Sequence, residues 1–290
     1  MTEFEDRYWS SRDGLKLHFR DYPAQQDAGG PALAPVLCLH GLTRNARDFD
    51  TIAPHLAETR RVICPDMRGR GDSEYAKDSA SYTPVQYAED LLELIAQEGI
   101  ERFVAIGTSL GGLLTMGLAT VIPEKIAGAV INDVGPALRR DGLERIKEYV
   151  GQGRSFPTWV HAAREIEKTH SGAHPDQPLD FWIGMAKRIM ALTSNGRIVF
   201  DYDMKIAEPF MDFDVDNQPD LGPAWEALAG RPVLVLRGAL SDLLSAETMD
   251  EMVRRLPGTQ ALTLDNLGHA PTLDEPEAVA AIDRLLARVD

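Results

Sequence analysis

Two cysteines in 290 residues leave no room for a disulfide framework. Cys38 and Cys64 both lie inside apolar, strand-like runs, where they read as small buried hydrophobes of a reducing compartment. Long apolar stretches are lacking as well. The longest weakly polar run, Leu110 to Ile122, stops at Pro-Glu-Lys and is too short to span a bilayer. No basic segment followed by an apolar one opens the chain, so no secretory leader is expected and a cytoplasmic location is. Positive charge is scarce: 30 Lys and Arg stand against 45 Asp and Glu, a net charge of −15. Phosphates would be repelled, which argues against nucleic-acid and anionic-membrane partners and leaves small neutral or apolar molecules.

The hydrophobic share of 44% and charged share of 26% are those of an ordinary globular protein, large enough for one big domain with an inserted subdomain. Residues Asp6 to Tyr22 alternate as an antiparallel hairpin does, and Ala24 to Ala34, rich in Ala, Gly and Pro, reads as a surface connection. Continuous apolar runs then recur at Val36–Leu39, Arg61–Cys64, Phe103–Ile106, Ile126–Ile131, Pro232–Leu236 and Ala261–Leu264, as in strands buried on both faces of a sheet. Helical patterns separate them. Thr83, Pro84 and Gln86 form a capping-box signal, and Gly99 closes the helix that follows. Between Ala137 and Phe213 the pattern is helical with no long buried strand, which predicts an all-helical insertion. The rest predicts an α/β fold: a mostly parallel sheet flanked by helices, with ligands at the carboxyl ends of its strands.

Gly107-Thr108-Ser109-Leu110-Gly111 joins one such strand to a helix. A serine at the apex of so tight a turn takes strained backbone angles, and its neighbours two residues away must lack side chains. The hydroxyl is thereby lifted clear of the sheet, beside the free N–H groups that open the helix. The motif is weak alone and needs partners, because a serine hydroxyl is a poor nucleophile without a base and an orienting carboxylate. His269 follows the last strand and Asp242 the strand before it, at the same sheet edge as Ser109.

The order Ser109, Asp242, His269 resembles that of the α/β-hydrolases. Four motifs carry the likeness: His40-Gly41, Asp66-Met67-Arg68-Gly69-Arg70-Gly71-Asp72-Ser73, the serine turn and Gly268-His269. The resemblance implies a core of residues 1–136 and 214–290, with 137–213 as a helical cap over the site. It also implies oxyanion-binding N–H groups on Leu42 and Leu110. Asp133, after the strand that follows the serine turn, can serve as the acid in some relatives, and Asp242 is preferred. His40 is expected to shape the oxyanion loop, and Asp66 and Arg68 to stabilise theirs.

His170 and His174 have a metal-like spacing, but the Gly and Pro around them predict a solvated loop, and no metal or cofactor is expected. The cap's large apolar residues are mostly core by default. Trp159, Trp182, Met185 and Phe210 are the candidates to line a substrate pocket. The expected activity is hydrolysis of a small ester or lactone through an acyl-enzyme, by a monomer or homodimer. Carbon–carbon bond hydrolysis of a vinylogous diketone, a haloperoxidase-like perhydrolase activity and a ligand receptor with little turnover are the alternatives.

Overall fold

The computed structural model describes residues 4–25 and 33–289. Residues 1–3 of the amino terminus and 26–32 of the Ala24 to Ala34 connection lie outside the described residues. Strands β1 (Glu5–Ser10) and β2 (Lys16–Tyr22) form the expected antiparallel hairpin, followed by β3 (Val36–Leu39), α1 (Ile52–Leu56), β4 (Val62–Pro65) and α2 (Pro84–Gln97). Then come β5 (Phe103–Thr108), α3 (Leu110–Val121) and β6 (Ile126–Asn132). The insertion holds α4 (Arg140–Tyr149), β7 (Ser155–Phe156), α5 (Trp159–His170), α6 (Leu179–Ile189), β8 (Met190–Leu192), β9 (Ile198–Phe200) and α7 (Ala207–Met211). The chain closes with α8 (Gly222–Glu226), β10 (Val233–Gly238), α9 (Ala246–Arg255), β11 (Gln260–Leu264) and α10 (Pro276–Leu286).

Eight strands make one sheet in the order β1-β2-β4-β3-β5-β6-β10-β11. The first two pairings are antiparallel and the remaining ones parallel. Both faces are covered, which explains the unbroken apolar runs of β3 to β6: every residue of β3, β4 and β6 is buried. On one face α2, α3, α8 and α9 bury Leu91, Leu114, Leu118, Trp225 and Met252. On the other α1 and α10 bury Ile52, Leu56, Ile282 and Leu285. Cys38 and Cys64 are buried free thiols within this second core. Among the described residues no helix is long and apolar enough to cross a membrane.

Two local expectations change. At the start of α2, Thr83 Oγ1 accepts the Gln86 N–H at 3.3 Å, but the Gln86 amide donates onward to Asp90 rather than back to Thr83. The cap is therefore half a capping box, because the Thr83 N–H already donates to the Ser81 carbonyl at 2.9 Å. The insertion is also not all helical. Strands β7, β9 and β8 form a small antiparallel sheet. Each is three residues or fewer, too short for a period of two to emerge from sequence. The insertion has its own core around Ala163, Ile166, Trp182 and Ile189. It contacts the main body where Leu143, Ile146 and Val150 of α4 and the residue after it pack on Leu243.

Candidate active site

Ser109 sits between β5 and α3 at φ 53°, ψ −115°, a region L-residues occupy only under constraint. The constraint is visible at the flanking glycines. A Cβ on Gly107 would lie 2.3 Å from the Gly111 carbonyl oxygen, and one on Gly111 would lie 1.9 Å from that of Leu39. Only glycine lets strand, helix and neighbouring strand come so close. Ser109 Oγ then stands 3.0 Å from His269 Nε2, and His269 Nδ1 stands 2.8 Å from an oxygen of Asp133.

Asp133, not Asp242, therefore occupies the acid's position, which corrects the sequence expectation. Its fully buried carboxylate also accepts the Gly238 N–H at 2.8 Å and the Ser241 hydroxyl at 2.6 Å. The three donors together aim it at the ring. Asn132 fastens the arrangement, its amide donating to Thr108 Oγ1 at 3.0 Å and to the Pro271 carbonyl at 2.9 Å. It thus ties the serine strand to the histidine loop. Asp242 instead pairs with Arg145 of α4 through both carboxylate oxygens. Burial alone would raise its carboxyl, but Arg145, with a smaller contribution from His269, holds it below the usual carboxylate range.

The Leu110 N–H opens α3, where no intrahelical partner exists. Leu42 lies in the loop after β3, and neither N–H donates to another described residue. The peptide unit carrying the Leu42 N–H is fixed from behind. Its carbonyl, on Gly41, lies 2.8 Å from His40 Nδ1. The Met67 N–H donates to His40 Nε2 at 3.1 Å, so Nδ1 carries the proton and donates to Gly41. Because the peptide is trans, its N–H points the opposite way. Burial, opposed weakly by Asp66, lowers His40 to about 4 and keeps it neutral for this task.

The Asp66 to Ser73 loop supplies the rest of the support. Arg70 donates to the Leu42 carbonyl at 2.9 Å, with its guanidinium 4.5 Å from the centre of the Tyr87 ring. Arg68, fully buried, pairs with Asp90 at 2.7 Å and Asp13 at 2.9 Å. Asp66 accepts the N–H groups of Ala46 and Asp72. His18, Asp66 and Asp72 place ligand atoms within 4.8 Å of one another, yet His18 is sandwiched between Asp66 at 2.7 Å and Asp6 at 2.9 Å. Burial lowers His18, but Asp66 first, then Asp6 and Asp72, outweigh it and raise it above the usual imidazole range. Both ring nitrogens of His18 are thus already engaged by carboxylates.

Two cavities meet at Ser109. One, of about 180 Å³, is mainly apolar, with Leu110, Leu113, Val134, Leu143, Phe210 and Phe213 on its walls. The other, of about 80 Å³, carries Arg44, Asp48, His170, His174, Arg188 and His269, together with Met185. Leu42 borders both. Of the four pocket candidates, Met185 and Phe210 thus line a cavity at Ser109, whereas Trp159 and Trp182 do not. Trp182 is 1% exposed inside the insertion's own core and Trp159 packs against that core. His170 and His174 are also not on a solvated loop. His170 ends α5 and packs 5.5 Å from the Tyr149 ring, and His174 is buried at the cavity wall. Nothing in the local sequence signalled this, since α6 and α4 bring the partners from elsewhere.

The Alpha/beta hydrolase family model matches residues 36–282. The 3-hydroxybutyrate-oligomer hydrolase of Cupriavidus necator is 38% identical over 265 residues, covering 89% of this chain and 90% of that protein. Lipase LipV of Mycobacterium tuberculosis is 28% identical over 281 residues, covering 93% of this chain and 97% of that protein. Among solved structures, an alpha/beta hydrolase from Novosphingobium aromaticivorans superposes with a TM-score of 0.93 at 60% identity, over 99% of both chains.

Proposed function

The chain belongs to the α/β-hydrolase family and is a hydrolase, and on that premise we propose that it cleaves small carboxylic esters by serine catalysis, with Ser109, His269 and Asp133 as the triad. One observation carries this reading: the continuous hydrogen-bonded chain from Ser109 Oγ through the imidazole to a buried carboxylate. Ser109 Oγ attacks the ester carbonyl carbon while His269 Nε2 takes its proton. The oxyanion that forms is received by the N–H groups of Leu42 and Leu110. Collapse breaks the carbon–oxygen bond, and His269 returns the proton to the departing alkoxide. Water, deprotonated by the same imidazole, then splits the acyl-enzyme and regenerates Ser109. Asp133 accepts the Nδ1 hydrogen bond throughout and steadies the imidazolium.

Residues 137–213 act in this reading as a cap that selects the substrate, since they furnish walls of both cavities beside Ser109. The likeness to a 3-hydroxybutyrate-oligomer hydrolase makes short linear oligoesters of a hydroxy acid the first substrates to try. The test is a hydrolysis screen over 4-nitrophenyl esters of graded acyl length, lactones, vinylogous diketones and 3-hydroxybutyrate oligomers. Sustained turnover of esters supports the proposal. Cleavage of diketones with every ester inert, or a single equivalent of product without turnover, overturns it.

A further inference from the structure

The two cavities at Ser109 differ in chemistry, and the position of His269 tells which part of an ester each receives. The acid that protonates the leaving oxygen is His269 Nε2, and His269 lines the polar cavity but not the apolar one. The alcohol portion therefore departs on the polar side, and the acyl portion lies against Leu110, Leu113 and Val134. This assignment rests on the reading of Ser109 as the nucleophile.

Within the polar cavity His174 stands out. It is 3% exposed and packed 5.3 Å from the Phe181 ring and 6.3 Å from that of Trp182. Its Nδ1 is sealed from solvent without a hydrogen-bond partner, and Nε2 has none among the described residues either. A buried imidazole that no protein group satisfies costs folding energy, and a ligand oxygen recovers it. Beside it His170 Nδ1 lies 2.7 Å from Thr169 Oγ1, and its Nε2 has no partner among the described residues. Asp48 is on the same wall, but Arg44 engages both of its oxygens, at 2.7 and 2.6 Å. Burial first, and then Arg44 with Arg188, lower His174 to about 4; burial, Arg44 and Arg145 lower His170 to about 3. The largest charge effects on the two rings come from arginines, of which Arg44 is paired with Asp48 and Arg188 with Asp274 at 3.0 Å. Both imidazoles thus stay neutral; His174 has an N–H to give, and His170 offers one at Nε2 in the tautomer in which Thr169 Oγ1 donates to its Nδ1.

We propose that this cavity binds a free carboxylate on the alcohol portion of the substrate, with His174 and His170 donating hydrogen bonds to it and Arg44 and Arg188 supplying the charge. The substrate class is then an ester between a carboxylic acid and the hydroxyl of a second hydroxy acid whose own carboxyl is free. Hydrolysis consumes one water and yields the first acid and the second hydroxy acid. The same cavity shares Thr43, Arg44, Tyr149 and His170 with a wider one of about 640 Å³, through which such an anion reaches the site.

The test compares the linear 3-hydroxybutyrate dimer with its carboxyl-terminal methyl ester. In the wild type the free acid has a kcat/KM about tenfold or more higher, and the preference shrinks with added salt. His174→Phe lowers the acid-to-methyl-ester ratio by about ten- to hundredfold, and His174→Gln, which keeps a donor, restores part of it. Equal kcat/KM for the two substrates in the wild type overturns the proposal, as does a ratio that neither variant moves. Should the variants fail to fold, the wild-type ratio and its salt dependence decide alone. A fluorophosphonate probe separates the two readings. No label at Ser109 and no cleavage of either substrate sinks the nucleophile, whereas label at Ser109 with equal cleavage of both sinks only the carboxylate subsite.

Discussion

Replacing Asp133 by asparagine tests the acid with little change of shape. One carboxylate oxygen accepts the Gly238 N–H at 2.8 Å, and the other faces the Ser241 hydroxyl at 2.6 Å and His269 Nδ1 at 2.8 Å. The Gly238 N–H can only donate, so the asparagine must keep its oxygen there and turn its NH₂ toward the ring. Nδ1 must then accept, which moves the ring proton to Nε2, against Ser109 Oγ. The base has lost its lone pair. The corresponding change in the best-studied triad costs about 10⁴ in kcat, equivalent to about 5.4 kcal/mol of barrier. Asp242→Asn meets a different environment. The Asp242 and Arg145 side chains are 31% and 28% exposed, so losing one charge is expected to lower stability by about 1 kcal/mol at most and kcat by less than about tenfold. The assay is kcat on a short-chain 4-nitrophenyl ester, with melting temperatures measured to exclude unfolding. A larger loss for Asp242→Asn than for Asp133→Asn would refute the assignment.

Ser109→Ala should abolish fluorophosphonate labelling and lower kcat by a factor on the order of 10⁶; labelling retained at another serine contradicts this. Gly111→Ala forces a Cβ to within 1.9 Å of the Leu39 carbonyl oxygen and should cost about 3 kcal/mol or more in urea unfolding, whereas a change below about 1 kcal/mol would show that the turn can open. His174 folds neutral with a value lowered to about 4, chiefly by burial. The unfolded chain, near 6.5, takes up the proton first, so this residue withdraws stability as pH falls from about 6.5 toward 4. The stability of His174→Phe relative to wild type should accordingly rise by about 1–2 kcal/mol between pH 7 and pH 5, and a difference that stays constant over that range would count against a buried neutral ring.

The chemistry-bearing turns were readable because they impose local demands. Two glycines flanking a serine between a strand and a helix have one geometric use, and the structure puts at that spot a strained residue whose neighbours have no room for a Cβ. The acid was not readable in the same way. Both Asp133 and Asp242 follow buried strands at the same edge, and sequence spacing does not report that Asp133 adopts φ 56°, which helps turn its carboxylate toward the imidazole. The short strands of the insertion and the place of His170 and His174 escaped for a related reason. They depend on contacts between α4, α5 and α6, each of which looks self-sufficient when read alone. Trp182 shows the limit from the other side: its size suits a pocket wall and a core equally, and here it anchors the insertion's core.

The exchange of roles between Asp133 and Asp242 has a structural logic. Because β6 lies between β5 and β10, a carboxylate leaving β6 sits directly between the serine strand and the loop after β10. That loop serves the carboxylate instead, its Gly238 N–H and Ser241 hydroxyl holding Asp133 in place. The next residue, Asp242, turns outward to the insertion. Its side chain grips Arg145, its carbonyl accepts the Gly142 N–H at 3.1 Å, and the Leu243 carbonyl accepts that of Arg139 at 2.9 Å. One short loop thus orients the Asp133 carboxylate at one end and docks α4 at the other. Since Ile146 of α4 borders both cavities at Ser109, the position of the insertion and that of the Asp133 carboxylate are set by the same few backbone atoms, and a change that loosens α4 should alter substrate choice before it alters the proposed chemistry.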